Sequence, residues 1–307
     1  MIDLEQHEFV SFDGTRIGYF TGGKADGPVM VLANGWGGNR AIWHHILRRY
    51  GKDYRIVNWD YRGLYSSGPA PSINAYSVPN QVADLIGLLD HLKIESATFV
   101  AWSMGVQICL ETCRDHQDRV DAMVLMQGSS GKNGRKLVEP KKVQELKYDG
   151  CAKLSMRGDG FGRAGRKIAK QTLLRPFARV TRKLGLVGPN IEIGSMSGLV
   201  QSWLGNDLRV FFSILCALDD NDTDDVMPDV SCPTLVIAGA QDSILPPVLS
   251  EYIAARVPGA KLLSIAGGSH FAMIEEPEQI LQGMDKFLGG LHPGAPDTSS
   301  VSNGANA

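Results

Sequence analysis

The stretch FVAWSMGVQ, Phe99 to Gln107, closes an apolar run and opens a helical one with a serine at the joint. A nucleophilic serine on a sharp strand-to-helix turn is expected to read Gly-x-Ser-x-Gly; here the chain reads Ala101-Trp102-Ser103-Met104-Gly105. Such a turn pushes the serine out above the sheet edge and brings helix against strand, so its flanking positions must be small. Gly105 is small, and Ala101 adds only a methyl, a modest steric load. Taken alone, the segment reads equally well as an ordinary buried Ser-Met-Gly at a strand end.

Working outward, near-continuous apolar runs recur: PVMVLAN, YRIVNW, ATFVAW, AMVLMQ and, much later, TLVIAGA and KLLSIAG. Strands apolar on both faces belong to parallel sheets covered by helices on both sides. Between them the period is helical, as in Val82, Leu85, Ile86 and Leu89, and in Ile280, Met284 and Phe287 after Pro277. The alternation predicts an α/β fold with a mostly parallel central sheet flanked by helices. Two alternating runs around Asp13-Gly14 predict a hairpin ahead of it. The pattern lapses from 131 to 206, which reads as an insertion between two strands of a core formed by 1–130 and 207–290. The tail, 291–307, is small, polar and rich in Pro and Gly, and is expected to be disordered.

A serine hydroxyl needs a histidine to accept its proton, and that histidine needs a carboxylate to fix its tautomer. His270 lies in AGGSHFAMIEEP, just past a strand run, where glycines let a side chain reach across the sheet edge. His44, His45, His91 and His116 fall in polar helical contexts and are expected at the surface. Asp242, in VIAGAQDSILPP, follows another strand; its plainer reading is an Asx-type turn residue. Charge developing on a substrate carbonyl must be met by preset donors. The Met104 amide supplies one, and the Trp36 amide of VLANGWGGNRAIW supplies the other. That Gly-rich loop matches neither GxGxxG nor GxxxxGK[ST], so phosphate binding is not indicated.

These segments resemble the α/β-hydrolase fold superfamily over about residues 7 to 289. NGWGGNRAIW is similar to the family's oxyanion loop, with Gly35 and Trp43 matching. DYRGLYSSG resembles its Asp-x-Arg-Gly-x-Gly-x-Ser element through Asp60, Arg62, Gly63 and Ser67. Asn34, Tyr65 and Ala101 depart from the pattern, standing where it has His, Gly and Gly. The order Ser103, Asp242, His270 is the family's order. The resemblance implies a serine hydrolase cleaving carboxylic esters, thioesters or lactones through an acyl-enzyme, with no cofactor and no metal. A serine at 103 disfavours the family's epoxide hydrolases and haloalkane dehalogenases, which attack through a carboxylate. Asn34, Gly35, Tyr65 and Trp102 are the expected substrate-binding residues, Asn34 also able to brace the oxyanion loop. An acyltransferase or perhydrolase would use the same triad, and a non-catalytic receptor on this fold is the reading from another class.

The insertion corresponds to the family's lid. From Lys132 to Asn190 it carries sixteen Lys or Arg against four Asp or Glu, in a chain of net charge −2. In LLRPFARVTRKLGL, Leu173, Phe177, Val180 and Leu184 share a helical face beside Arg175, Arg179, Arg182 and Lys183. Such a basic helical lid would receive an anionic or lipid-like ester or touch an anionic membrane surface; its plainer role is to cover the pocket. The near-neutral whole gives no case for nucleic acid. No run is long enough to span a membrane and the N-terminus lacks the regions of a signal peptide, so a cytoplasmic location is expected. Cys109, Cys113, Cys151, Cys216 and Cys232 are scattered and read as buried small hydrophobes. The acidic run DDNDTDD lacks the Gly and Glu of a calcium loop and reads as a solvated loop.

Overall fold

A computed structural model describes residues 2–138, 150, 153 and 205–291. Its strands are β1 (Glu5–Val10), β2 (Arg16–Gly23), β3 (Val29–Ala33), β4 (Arg55–Trp59), β5 (Ala97–Trp102), β6 (Val120–Met126), β7 (Thr234–Gly239) and β8 (Lys261–Ile265). Among the described residues they form one sheet in the order β1-β2-β4-β3-β5-β6-β7-β8. The β1–β2 hairpin and the β2–β4 pair are antiparallel, and every later pair is parallel. The chain thus has the α/β-hydrolase fold.

Period-two alternation divides the sheet's side chains between two apolar layers. Val31, Ala33, Phe99 and Ala101 face one way, onto α2 (Val78–His91) and α3 (Met104–Asp115). Met30, Leu32, Val100 and Trp102 face the other, onto α1 (His44–Tyr50) and α8 (Pro277–Leu291). The helical stripes read from sequence supply the matching faces: Val82, Leu85 and Leu89 of α2 are buried, as are Ile280, Met284 and Phe287 of α8. Ser77 caps α2 by accepting from Asn80 N–H. The other helices whose bounds lie among the described residues are α4 (Lys132–Arg135), α5 (Leu208–Asp220), α6 (Pro247–Arg256) and α7 (Ala272–Glu275).

One strand differs from its reading. KLLSI forms β8 but lies at the sheet's edge, so only Ile265 is fully buried and Leu262 is 46% exposed. Its apolar run describes what pairs with β7, not a strand covered on both faces. The acidic run also differs from a simple solvated loop. Asp224 accepts from Ser130 Oγ (2.8 Å) and Tyr252 OH (2.6 Å), and Asp225 pairs with Arg114. Cys109 and Cys113 are buried, Cys216 and Cys232 half-buried, all as free thiols; burial pushes the Cys109 thiol well up. Cys151 lies outside the described residues.

The chain leaves the sheet after β6 and returns beside its point of departure. Gly131 bridges to Asp222, Lys132 N–H donates to Asn221 O, and Thr223 N–H donates to Ser130 O, the last two at 2.9 Å. Of the expected lid, 131–206, only its two ends and residues 150 and 153 are described; the basic helix around Leu173–Leu184 and the tail beyond Leu291 lie outside the described residues.

A wholly buried arginine joins the first strands to the rest. Arg62 donates through Nε and Nη2 to both oxygens of Asp84 (2.7 and 2.6 Å) and through Nη1 to Asp13 Oδ2 and Ala75 O (both 2.9 Å). Asp84 also accepts from Ser11 Oγ. Burial opposes the guanidinium charge, but its acidic partners outweigh burial and hold its pKa above the ordinary value. Removing one member of such a pair strands the other charge. Arg62→Ala is therefore expected to lower stability by about 3–5 kcal/mol, read from urea unfolding. A loss below about 1 kcal/mol would mean that Asp84 finds water or another donor.

Candidate active site

All of β5 is buried, and its ladder runs one residue beyond it: Ser103 N–H donates to Met126 O at 2.9 Å. Because α3 starts at Met104, the backbone must reverse within a single residue. Ser103 accordingly sits at φ +54°, ψ −113°, a conformation costing about 1–3 kcal/mol that persists only where the surroundings impose it. The two flanking positions prove to have different needs. A Cβ on Gly105 would lie 2.3 Å from Ala33 O, so glycine is required there. Ala101 is still within β5, paired between Ala33 and Leu125, and its methyl packs in the core with no exposure.

The loops after β7 and β8 deliver the other two groups. His270 Nε2 lies 3.0 Å from Ser103 Oγ, and His270 Nδ1 lies 2.8 Å from Asp242 Oδ2. The other Asp242 oxygen accepts from Ile244 and Leu245 N–H (2.9 and 2.8 Å). One Asp242 oxygen thus makes the turn contacts while the other faces His270 Nδ1. Asp242 and His270 are 4% and 5% exposed. The loops after β7 and β8 are themselves tied, Gln241 N–H donating to Gly268 O at 2.9 Å.

The base loop has two further supports. Trp102 Nε1–H donates to the His270 carbonyl at 2.8 Å, and its ring lies beneath Gly35. Buried Glu275 accepts from Ser269 N–H (2.9 Å) and Ser269 Oγ (2.8 Å). Glu275 escaped the sequence reading; a carboxylate five residues past His270, ahead of the helix-opening Pro277, was its only signal. His44, His45 and His116 are half-buried at the surface, and His91 is exposed with Nε2 3.3 Å from Tyr19 OH. Burial lowers the His45 pKa.

Gly35 through Gly38 form a turn abutting Ser103, closed by Gly38 N–H donating to Gly35 O at 2.8 Å. Asn34, expected to touch substrate, is instead wholly buried behind this turn. Its Nδ2 donates to Trp59 O (2.8 Å), and its Oδ1 accepts from Trp43 Nε1 (2.7 Å) and Asn58 Nδ2 (3.1 Å). Its own carbonyl accepts from Tyr61 OH, a buried phenol whose pKa burial raises well above the ordinary value. Asn34 is a brace, occupied on every side. Trp102 is 2% exposed and also packs into the wall. Tyr65 remains half-buried at the edge of the turn. Asp60 accepts from Ser66 N–H and Oγ, and burial raises its carboxyl pKa. A separate cavity of about 940 Å³ lies between residues 69–79 and α5 and includes none of Ser103, Asp242 or His270.

The family model for the alpha/beta hydrolase fold matches residues 28–277. The chain belongs to the α/β-hydrolase family. Among its relatives is BpoC of Mycobacterium tuberculosis, whose name assigns it to the non-heme bromoperoxidases without establishing the activity. The two are 27% identical over 278 residues, 89% of this chain and 97% of that protein. A pimeloyl-[acyl-carrier protein] methyl ester esterase of Aeromonas hydrophila is 24% identical over 86% of this chain and 96% of its own. Among solved structures, an esterase from Exiguobacterium antarcticum superposes with a TM-score of 0.76, with 19% identity over 92% of this chain and 99% of that one. These relatives support a hydrolase.

The unequal needs of the turn's flanks are testable. Gly105→Ala is expected to cost roughly 2 kcal/mol or more through its clash with Ala33 O. Ala101→Gly is expected to cost only about 1 kcal/mol, from strand entropy and lost packing. Urea unfolding of both variants would show it; equal losses would refute the assignment of the constraint to position 105.

Proposed function

We propose that this α/β hydrolase is a carboxylic ester hydrolase, acting on esters, thioesters or lactones through an acyl-enzyme. The observation carrying this reading is the unbroken line Asp242–His270–Ser103, at 2.8 and 3.0 Å, ending on a serine held in a strained turn. Names borne by relatives, an acyl-carrier-protein methyl ester esterase among them, support the same class.

Ser103 Oγ attacks the substrate carbonyl carbon while its proton passes to His270 Nε2. Asp242 holds the Nδ1–H tautomer and offsets the imidazolium charge. The carbonyl oxygen becomes an oxyanion met by the Trp36 and Met104 amides, the latter at the positive end of α3. Collapse expels the alcohol or thiol, which takes the proton from His270. Water then attacks the acyl-serine with His270 as base, giving the acid and free Ser103. Hydrogen peroxide in place of water would release a peracid; the bromoperoxidase name of one relative favours this second reading.

Ser103→Ala is expected to lower kcat on short p-nitrophenyl esters by about 10⁴-fold or more with the fold intact by circular dichroism. Retained turnover would refute the nucleophile. Substrate choice is assigned to the basic segment between Lys132 and Asn190, which favours acyl groups bearing a negative charge or lipid at an anionic surface. Preference for p-nitrophenyl hemisuccinate over p-nitrophenyl butyrate should then fall several-fold as salt rises from about 0.01 to 0.5 M. A salt-independent preference would remove the electrostatic account.

A further inference from the structure

Tyr65 stands where the family element has glycine, and it adopts the backbone that makes glycine suitable there, φ +51°. A tyrosine kept in the left-handed region needs something to hold it. Two bonds do so at its two ends. Its N–H donates to Asn206 Oδ1 at 2.9 Å, and its phenolic O–H donates to the carbonyl of Gly37 in the oxyanion turn.

That carbonyl is one end of a chain of peptide groups. The peptide unit joining Gly37 to Gly38 accepts from Tyr65 at its oxygen and donates from Gly38 N–H to Gly35 O, 2.8 Å away. Gly35 O in turn belongs to the peptide unit whose N–H is that of Trp36. In a trans unit the C=O and N–H point in opposite directions, so the sequence runs head to tail: Tyr65 O–H, Gly37 C=O, Gly38 N–H, Gly35 C=O, Trp36 N–H. Each bond in such a chain polarises the next. Gly37, at φ +68°, supplies the turn that brings these units into line. The Trp36 side chain anchors the same turn from another direction, its Nε1–H donating to Phe211 O at 2.8 Å and its ring, tilted by 40°, lying with its centroid 4.1 Å from that of Phe211.

The geometry points to Tyr65 as a positioning residue of the oxyanion hole: its hydroxyl fixes the Gly37 carbonyl and, through two peptide units, orients and strengthens the Trp36 amide as a donor to the developing oxyanion. The inference rests on the ester-hydrolase reading, in which that amide meets the substrate oxygen. Tyr65 touches no reacting atom. It is expected to act on the barrier and leave ground-state binding of a small ester unaltered.

The experiment compares the wild type, Tyr65→Phe and a protein with 3-fluorotyrosine at position 65. It measures kcat and KM on p-nitrophenyl acetate, the labelling rate with a fluorophosphonate, and the inhibition constant of a trifluoromethyl ketone, which binds as an oxyanion. Removing the hydroxyl should lower kcat and the labelling rate about tenfold, less than the loss of a direct donor, with KM unchanged and the ketone weakened in proportion. The fluorinated phenol, a stronger donor of nearly the same size, should shift the rates the other way when assayed below its ionisation. A role in folding or packing alone would not follow phenol acidity. Rates within about twofold of wild type in Tyr65→Phe, a loss confined to KM, or indifference to fluorination would each overturn the inference. The Ser103→Ala control separates the two claims: turnover surviving there refutes the ester-hydrolase reading, whereas turnover lost there but kept in Tyr65→Phe refutes the role of Tyr65 alone.

Discussion

The near-contact of α3 with the end of β3, at Gly105 against the Ala33 carbonyl, governs the geometry above the sheet. With no side chain between them, the helix begins directly on top of the strand, and Ser103 must absorb the whole change of direction. The parallel neighbours make the constraint stiff. β5 is held by β3 on one side and β6 on the other, up to Trp102 and Met126, so strain at Ser103 cannot relax by slipping the strand. The serine hydroxyl is thereby set at a fixed height, and the loops from β7 and β8 need only meet it.

Those loops show where a sequence speaks plainly and where it is silent. The strand runs, the helical stripes and the three residues after strand ends were legible because each is a local pattern with a known period or position. The edge exposure of β8 was not, since KLLSI reads the same whether its outer side is covered or bare. Nor were the supports of the site. Arg62 and Asp84 are separated by 22 residues and Trp102 and His270 by 168, and no periodicity links such pairs. Glu275 is nearer its partner Ser269, but a glutamate ahead of a helix looks like surface charge until its burial is seen.

The three departures from the family pattern receive three different explanations. Ala101 falls at a strand position where a methyl simply joins the core. Asn34 keeps an amide that donates to one strand end and accepts from Trp43 and Asn58, so it secures the turn from beneath. Tyr65 retains the backbone shape of the glycine it replaces and brings a hydroxyl to the carbonyl of Gly37. The surroundings of the three positions separate a methyl packed in the core, a buried brace and a phenol bonded to the turn beside Ser103.

The clamp formed by Ser130, Gly131 and Lys132 against Asn221, Asp222 and Thr223 makes the sheet tolerant of what lies between its two sides. The chain between these points leaves and rejoins the sheet at one place, so the loop it forms is already closed by bonds of its own. Closure entropy grows slowly with length, and changes within a loop so fastened cost the sheet little. Changes of length or charge in the segment between the two fastened ends would then leave the register of Ser103, Asp242 and His270 undisturbed.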